Sequence, residues 1–189
     1  MARRRTCARV DVVNLDGRRT RFEALAPTMI DALRRYLVRR TDAATADDVL
    51  SETMLVCWRR FDEMPGDHLP WAYGVARRCL GNAERTQRRQ NRLVARIAAI
   101  DPPQSVAEEP PLRDEALTAA LSRLRAEDAE LLRLWAWEEL APAQIAVVLG
   151  ISANAASIRL HRAKQRLREE LRKVGDLAGH EESTGGRWL

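Results

Sequence analysis

The sequence is poor in the residues that build catalytic and metal centres. Of its 189 residues, three are histidine, three are cysteine and 5% are aromatic. His68, His161 and His180 lack the spacing to cysteine or acidic residues that metal ligands show. The sequence also contains no glycine-rich phosphate loop and no nucleophile elbow. These absences argue against an enzyme, and they predict no catalytic residue, no metal and no cofactor.

Cysteine pairs and long apolar runs are missing as well. Cys7, Cys57 and Cys79 are widely spaced and odd in number, so reduced thiols in the cytoplasm are the simplest account. Cys57 and Cys79 fall at apolar helical positions, which predicts that both are buried. No stretch approaches the roughly 18 apolar residues of a membrane span, and the basic start precedes no signal-peptide run. We therefore expect a cytoplasmic protein without membrane insertion.

Helix-forming residues and arginine are abundant instead. Alanine, leucine and arginine dominate, and no alternating strand pattern of any length occurs. The formal net charge is +5 and the sequence pI is about 9.7. This charge favours a polyanionic partner, either nucleic acid or an acidic lipid surface, although a solvated arginine-rich surface explains it equally well. The composition therefore predicts an all-α fold.

Proline divides the sequence into two predicted helical domains. Four prolines and several acidic residues crowd residues 101–111, where a helix cannot continue. We place a flexible Pro-rich linker at 99–112. It would join one small helical domain at 21–98 to a second at 113–174.

The two ends of the chain look less regular. Residues 1–20 are basic and contain the turn signal Asp16-Gly17, which predicts a loosely ordered extension. Residues 175–189 are polar and contain glycine, which predicts a disordered tail. Inside the first domain, the pattern predicts a helix over Ala46–Phe61 with Thr45 as its cap.

A helix-turn-helix is the most specific local pattern. The helix that starts at Pro142 meets Gly150, where glycine reaches positive φ without strain. Ser152 is a suitable N-cap for the next helix, which would present polar groups to base edges and arginines to phosphates of duplex DNA. The predicted DNA-contacting residues are Ser152, Asn154, Ser157, Arg159, His161, Arg162, Lys164 and Arg166. A generic helical hairpin with a solvated basic face is the alternative.

Two motifs, in order along the chain, resemble one known family. They are similar to regions two and four of small alternative sigma factors of the extracytoplasmic-function type, and together they cover roughly residues 22–173. The matching stretches are Leu140–Ser152 and Arg159–Arg168 for region four, Ala46–Trp58 for the region-two core helix, and Pro70–Leu80 with Asn82 and Arg88–Arg89 for the promoter-melting helix. Two motifs in the correct order are more specific than either alone.

The resemblance implies a sigma factor that binds core RNA polymerase, recognises minus-ten and minus-thirty-five promoter elements and helps to open the duplex. Asp47, Asp48 and Glu52 would contact the clamp helices of the polymerase, although acids early in a helix also balance its dipole. The loop Asp62–Leu69 lies where the family captures a flipped base. Residues expected at the melted minus-ten strand are Trp71, Tyr73, Arg77, Arg78, Asn82, Arg85, Arg88 and Arg89. An anti-sigma protein is a further expected partner.

The sequence departs from this family in the second motif. Ala155 and Ile158 stand where polar residues are frequent, Ser157 where lysine is common, and Ala141 where serine usually caps the helix. These changes leave open which bases the helix reads. Two alternatives remain: a helix-turn-helix regulator that works without polymerase, and a sigma-like interaction module that binds polymerase or an inhibitor without melting DNA.

Overall fold

The computed structural model describes the backbone of residues 6–97 and 115–183, with side chains over 16–92 and 116–173. Every regular element in these two ranges is helical, which confirms the all-α fold. The chain divides into two compact units, Met1–Pro103 and Gln104–Leu189. The boundary between the units falls inside the predicted linker, 99–112, which itself lies outside the described residues.

Three long helices and a short 3-10 turn build the first unit. They are α1 (Thr6–Val38), α2 (Ala43–Arg59), the turn Phe61–Glu63 and α3 (His68–Ile97). Each long helix packs against the other two, so the apolar side of each is covered. The largest fully buried side chains of the unit are Met29, Leu33, Tyr36, Leu37, Val49, Thr53, Cys57, Pro70 and Val75.

Thr53, Cys57 and Cys79 place one hydroxyl and two thiols in this core. The hydroxyl of Thr53 donates to the carbonyl oxygen of Val49 at 2.7 Å, one turn back on α2. Cys57 and Cys79 are both buried and free, which confirms the prediction from their position. Burial raises the pKa of Cys57 to about 12 and also raises the pKa of Cys79. Both thiols therefore stay protonated and act as packing residues.

Two expectations for the first unit are wrong. The loosely ordered extension is instead helical from Thr6 onwards, and the Asp16-Gly17 turn signal lies inside α1. This helix is held by contacts with residues far along the chain, which no local pattern shows. The second helix begins at Ala43, not Ala46, because Asp42 is its cap. The carboxylate of Asp42 accepts from the Thr45 N–H at 3.0 Å and from its hydroxyl at 2.7 Å.

Over residues 115–183, the second unit consists of four helices: α4 (Glu115–Ser122), α5 (Ala126–Ala136), α6 (Pro142–Leu149) and α7 (Ala153–Ser183). The buried side of α7 packs against all three shorter helices. Its small residues Ala156 and Ala163 are fully buried, and Leu160 lies between them on the same side. The core is completed by leucines of α5 and by Ile145 of α6.

The disordered tail predicted from residue 175 is helical over 175–183, and residues 184–189 lie outside the described range. Extending an existing helix avoids the cost of a new nucleus, so single glycines do not end it. In the described part of the chain, no single helix is long and apolar enough to cross a membrane. Only α6 and α7 taken together pass on length and composition, and they are bent by 105° at the break.

Candidate nucleic-acid and polymerase interfaces

The turn between α6 and α7 has the geometry of a helix-turn-helix. Gly150 adopts φ 66° and ψ 38°, and both its N–H and that of Ile151 donate to the carbonyl oxygen of Ala146. Ser152 Oγ then accepts from the Ala155 N–H at 3.2 Å. The turn glycine and the serine N-cap are thus confirmed. The 105° bend lies in the range of this motif.

The start of α6 compensates for the missing serine cap. Ala141 has no side-chain acceptor, but the Gln144 side-chain oxygen accepts from the Ala141 N–H at 2.9 Å. Pro142 occupies the first helical position, where its absent N–H leaves nothing unsatisfied. Helix α6 therefore begins at Pro142, although Ala141 replaces the serine that usually caps this helix in the family.

The recognition helix α7 exposes most of the predicted DNA-contacting residues. Its buried stripe of Ala156, Leu160 and Ala163 faces the unit, and the remaining sides are open to solvent. Within the described ranges, neither Arg159 nor Arg162 forms an ion pair. The exposed members of the predicted set are Ser152, Asn154, Ser157, Arg159, His161, Arg162 and Arg166, whereas Lys164 is half-buried.

Two members of that set have partners inside the second unit. Lys164 Nζ lies 3.4 Å from the ring centroid of Trp135, a cation–π contact. Arg166 forms an ion pair with Asp128, a buried acid in the first turn of α5. Sequence reasoning missed this pair, and the available signal was Asp128 itself, an acid among the apolar positions of α5. Both contacts fix the recognition helix on its scaffold.

An acidic face with one exposed leucine lies on α2. Asp47, Asp48 and Glu52 are all exposed, and Asp47 is 3.7 Å from Arg34 of α1. Asp48, Glu52 and Leu55 follow one another at helical spacing, so they share one side of α2. Leu55 is 46% exposed and places an apolar side chain beside the two carboxylates. We call Asp48, Glu52 and Leu55 the acidic face; sequence reasoning had not included the leucine.

An arginine strip runs along α3. The exposed arginines of α3 fall within about one third of the helix circumference at about 100° per residue, so they share one side of the helix. They are Arg77, Arg78, Arg85, Arg88 and Arg89. Asn82 lies on the same side and accepts a hydrogen bond from Arg85, while Arg88 is 3.4 Å from Glu84. Such a strip matches the charge of a phosphate backbone.

The two aromatic residues predicted at the melted strand differ in position. Trp71 is half-buried, with the Arg60 guanidinium 5.6 Å from its ring centroid. Tyr73 is only 4% exposed, and its ring lies 5.2 Å from that of Tyr36 in the core. The prediction that Tyr73 contacts DNA is therefore wrong for this structure. Tyr73 occupies an inward position of α3. The sequence did not predict this position, because the hydroxyl of tyrosine is polar.

A cavity of about 460 Å³ lies between α1 and the loop Asp62–Leu69. Its volume is in the range of small-ligand pockets. Both sides of the cavity contribute charged groups. Arg21 on the α1 side lies 3.6 Å from Asp62 on the side of the segment after α2. The lining residues are Arg21, Ala24 and Leu25 from α1 and Phe61, Asp62, Met64 and His68 from the segment after α2.

Comparison with known proteins identifies the family. The model of the family Sigma-70, region 4 matches residues 114–167, which contain the helix-turn-helix. The ECF RNA polymerase sigma factor SigL of Mycobacterium tuberculosis is 35% identical over 148 residues, which cover 75% of this chain and 83% of SigL. The chain belongs to the ECF sigma factor family. RNA polymerase sigma factor CarQ of Myxococcus xanthus is 31% identical over 166 residues, which cover 82% of this sigma factor and 92% of CarQ.

Two solved structures share the fold of this sigma factor. The sigma factor RpoE of Bartonella quintana, in complex with the anti-sigma factor NepR, has a TM-score of 0.55 at 22% identity and covers 80% of this chain and 96% of its own. The PhyRSL–NepR complex from Sphingomonas sp. Fr1 has a TM-score of 0.56 at 18% identity. This match covers 79% of this chain and 88% of that one. These two structures confirm the fold, and the relatives SigL and CarQ confirm the family expected from the two motifs.

Proposed function

We propose that this sigma factor binds core RNA polymerase, selects promoters through minus-ten and minus-thirty-five elements, and promotes opening of the duplex. The observation that carries the proposal is that one ECF-family chain exposes both an arginine strip on α3 and a basic helix-turn-helix. The polymerase would perform the chemistry, and this protein would supply recognition without a catalytic group. Because this work takes place on chromosomal DNA, we assign it to the cytoplasm.

The acidic face is our candidate for the polymerase contact. The Asp48 and Glu52 carboxylates suit a basic partner surface, and Leu55 beside them supplies apolar area that water otherwise covers. Asp47 contributes less in this proposal, since Arg34 already lies 3.7 Å from its carboxylate. Clamp helices of the polymerase are the partner that family membership suggests.

The arginine strip and the cavity are our candidates for the minus-ten contact. Exposed guanidinium groups on one side of α3 would follow the phosphates of the opened strand, and Asn82 could read a base edge. Trp71 offers a ring on which an unstacked base can lie. The cavity beside the loop Asp62–Leu69 has walls of mixed polarity and would hold a base that has left the stack.

The N-terminal half of α7 is our candidate for the minus-thirty-five contact. In a major groove, Asn154, Ser157 and Arg159 would reach base edges, and Arg162 with His161 would reach phosphates. The contacts of Lys164 with Trp135 and of Arg166 with Asp128 give these two residues a scaffold role. They would keep the helix rigid while it docks.

An anti-sigma protein is the remaining proposed partner. Two structures with the same fold are complexes with the anti-sigma factor NepR. We propose that a protein of this class covers the acidic face or the arginine strip and so keeps this sigma factor from polymerase until a signal releases it.

Run-off transcription with core polymerase tests the proposed function. We expect transcripts from selected promoters only when core enzyme and this protein are both present. Gel shifts with and without core enzyme separate the alternatives. Tight specific DNA binding without polymerase would indicate an independent regulator, and polymerase binding without promoter opening would indicate an interaction module. Either result contradicts the proposal.

A further inference from the structure

Arg18 of α1 connects the end of α2 to the loop that follows it. Its Nη2 donates to the carbonyl oxygens of Trp58 and Arg59, the last two residues of α2. Its guanidinium carbon lies 4.7 Å from the Trp58 ring centroid, and its Nε is 3.1 Å from a carboxylate oxygen of Asp62. The Arg18 side chain thus contacts Trp58 and Arg59 at the end of α2 and Asp62 at the start of the loop.

The chemistry of this junction favours a guanidinium. The last carbonyl groups of a helix lack partners within the helix, and the C-terminal end carries a partial negative charge. A planar cation can donate to two such carbonyls and still pair with a carboxylate, which an ammonium group does less well. The Arg18 side chain is only 20% exposed, so solvent screens its hydrogen bonds to the α2 carbonyls weakly, whereas the Asp62 carboxylate is 62% exposed and this ion pair is screened more.

Phe22, one turn after Arg18, supports the same junction from α1. Its ring meets that of Trp58 at 5.2 Å and that of Phe61 at 5.4 Å, both edge to face. Arg21 adds an ion pair with Asp62 at 3.6 Å and lies 5.6 Å from the Phe61 ring. The amino-terminal half of α1 and the start of the loop are therefore tied by polar and aromatic contacts.

These contacts join the two walls of the cavity. One wall comes from α1, through Arg21, Ala24 and Leu25, and the opposite wall comes from the segment that starts at Phe61. Asp62 belongs to that opposite wall and is itself held by Arg18. A loss of the Arg18 contacts would leave Asp62, among the described residues, with only the Arg21 ion pair at 3.6 Å and would alter the shape of the cavity.

We propose that Arg18 is a positioning residue for promoter selection, which holds the loop Asp62–Leu69 so that the cavity discriminates one unpaired base of the minus-ten element. The inference rests on the proposed function and deepens it, because it assigns part of the selectivity to the amino-terminal half of α1. Arg18 acts through Asp62 and through the end of α2, and it does not contact the base itself.

The test compares base selection by the wild-type chain and its variants, each bound to core polymerase. Arg18→Met keeps an apolar stem over Trp58 but removes the charge and the hydrogen bonds. Arg19→Ala is the matched control, because Arg19 is the next residue, is 72% exposed and pairs only with Glu23 of its own helix within the described residues. Open-complex formation is measured on promoters that carry each of the four bases at each minus-ten position.

For Arg18→Met, we expect the preference among the four bases to shrink at one minus-ten position by about tenfold, the effect of one charge-assisted hydrogen bond. The preferences at the other positions should stay unchanged, as should binding to core enzyme and to minus-thirty-five duplex. Asp62→Asn should reduce the preference at that same position, and the double variant should lose little more. Arg19→Ala should keep the wild-type profile.

A purely structural role gives a different result. Partial unfolding would lower complex formation on every template by the same factor and leave the ratios intact, and that outcome overturns the inference. Arg18→Lys provides a better-folded variant if Arg18→Met is unstable, and it should show an intermediate loss of preference. If the wild-type protein selects bases and Arg18→Met selects them identically, only the inference fails. If the wild-type protein directs no initiation, the proposed function fails as well.

Discussion

Arg166 of α7 pairs with Asp128 of α5, and this ion pair joins the recognition helix to the scaffold of the second unit. The carboxylate is mostly shielded from water, whereas about half of the Arg166 side chain remains accessible. Removal of the arginine would leave a buried acid without its cation, which is costly. Arg166 therefore has a structural role, although its place on a basic helix predicts a DNA contact.

Replacement of Arg166 should destabilise the second unit. We expect Arg166→Ala to lower the free energy of unfolding by about 1–2 kcal/mol, discounted for the partial exposure of the pair. Urea denaturation of the full chain, followed by circular dichroism, measures this loss. Arg168→Ala, an exposed arginine on the same helix, is the matched control and should change stability by less than about 0.5 kcal/mol. Equal effects of the two variants would rule out the structural role.

Arg159 and Arg162 should contribute directly to DNA binding. Each substitution to alanine should weaken promoter binding by about 1–3 kcal/mol if the arginine contacts a base. A phosphate contact would instead weaken binding to all sequences and lower the salt slope by about one unit. Fluorescence anisotropy with upstream duplex at several salt concentrations separates the two cases, with Arg172→Ala as the exposed control. Unchanged affinity and slope would remove these residues from the DNA surface.

Ile158 predicts which chemical group the recognition helix reads. It is 43% exposed and lies one turn from both Asn154 and Arg162 on the proposed DNA-facing side. An exposed aliphatic group in the major groove favours the methyl group of thymine. Replacement of one thymine of the minus-thirty-five element by uracil should therefore weaken binding about three- to fourfold, the effect of one buried methyl group.

Ile158→Ala should make binding insensitive to that replacement, because the methyl group then meets no aliphatic partner. Ala155, on the same helix, offers too little surface to take over the contact. A thymine preference that persists in Ile158→Ala, or its absence at every position in the wild-type protein, would show that Ile158 does not read the methyl group.

Asp42 makes the stability of the first unit depend on acid pH. Hydrogen bonds from the Thr45 N–H and hydroxyl lower the pKa of Asp42 below its ordinary value of 3.8. The pKa of Asp42 is lower in the folded than in the unfolded protein. The stability that its hydrogen bonds contribute is therefore fully present above pH 3.8 and is lost as the pH falls through the folded-state pKa. Asp42→Ala should lower Tm at pH 7, and the difference from wild type should shrink under acid.

Asp42→Asn is the control for the charge, since asparagine caps helices as well as aspartate does. The Tm of Asp42→Asn at pH 7 should stay close to that of the wild type. A Tm difference between Asp42→Ala and wild type that is the same at pH 7 and well below pH 3.8 would show that the capping carboxylate is not responsible.

Features encoded by neighbouring residues could be predicted from the sequence. Gly150 and Ser152 specify the turn and the cap of the helix-turn-helix by local backbone chemistry. The spacing of the arginines on α3 likewise shows which of them share a side. Exposure of the acidic residues on α2 follows from the same periodicity.

Features that depend on distant contacts could not be predicted. Arg18 lies 40 residues from Trp58 in the sequence, so nothing near Arg18 indicates that it caps α2 or that the helix continues through Gly17. Lys164 and Arg166 look identical in kind to Arg162 until Trp135 and Asp128 of α5 are in place. Tyr73 joins the core because Tyr36 of α1 packs against it.

We expect this ECF sigma factor to open promoter DNA together with core RNA polymerase. Permanganate reactivity of minus-ten thymines tests it most directly, because only unpaired thymines react. We expect reactive thymines with core enzyme and the wild-type protein, none with either alone, and greatly reduced reactivity for Arg85→Ala combined with Arg88→Ala. Polymerase binding without any reactive thymine on a promoter that the complex occupies would contradict it.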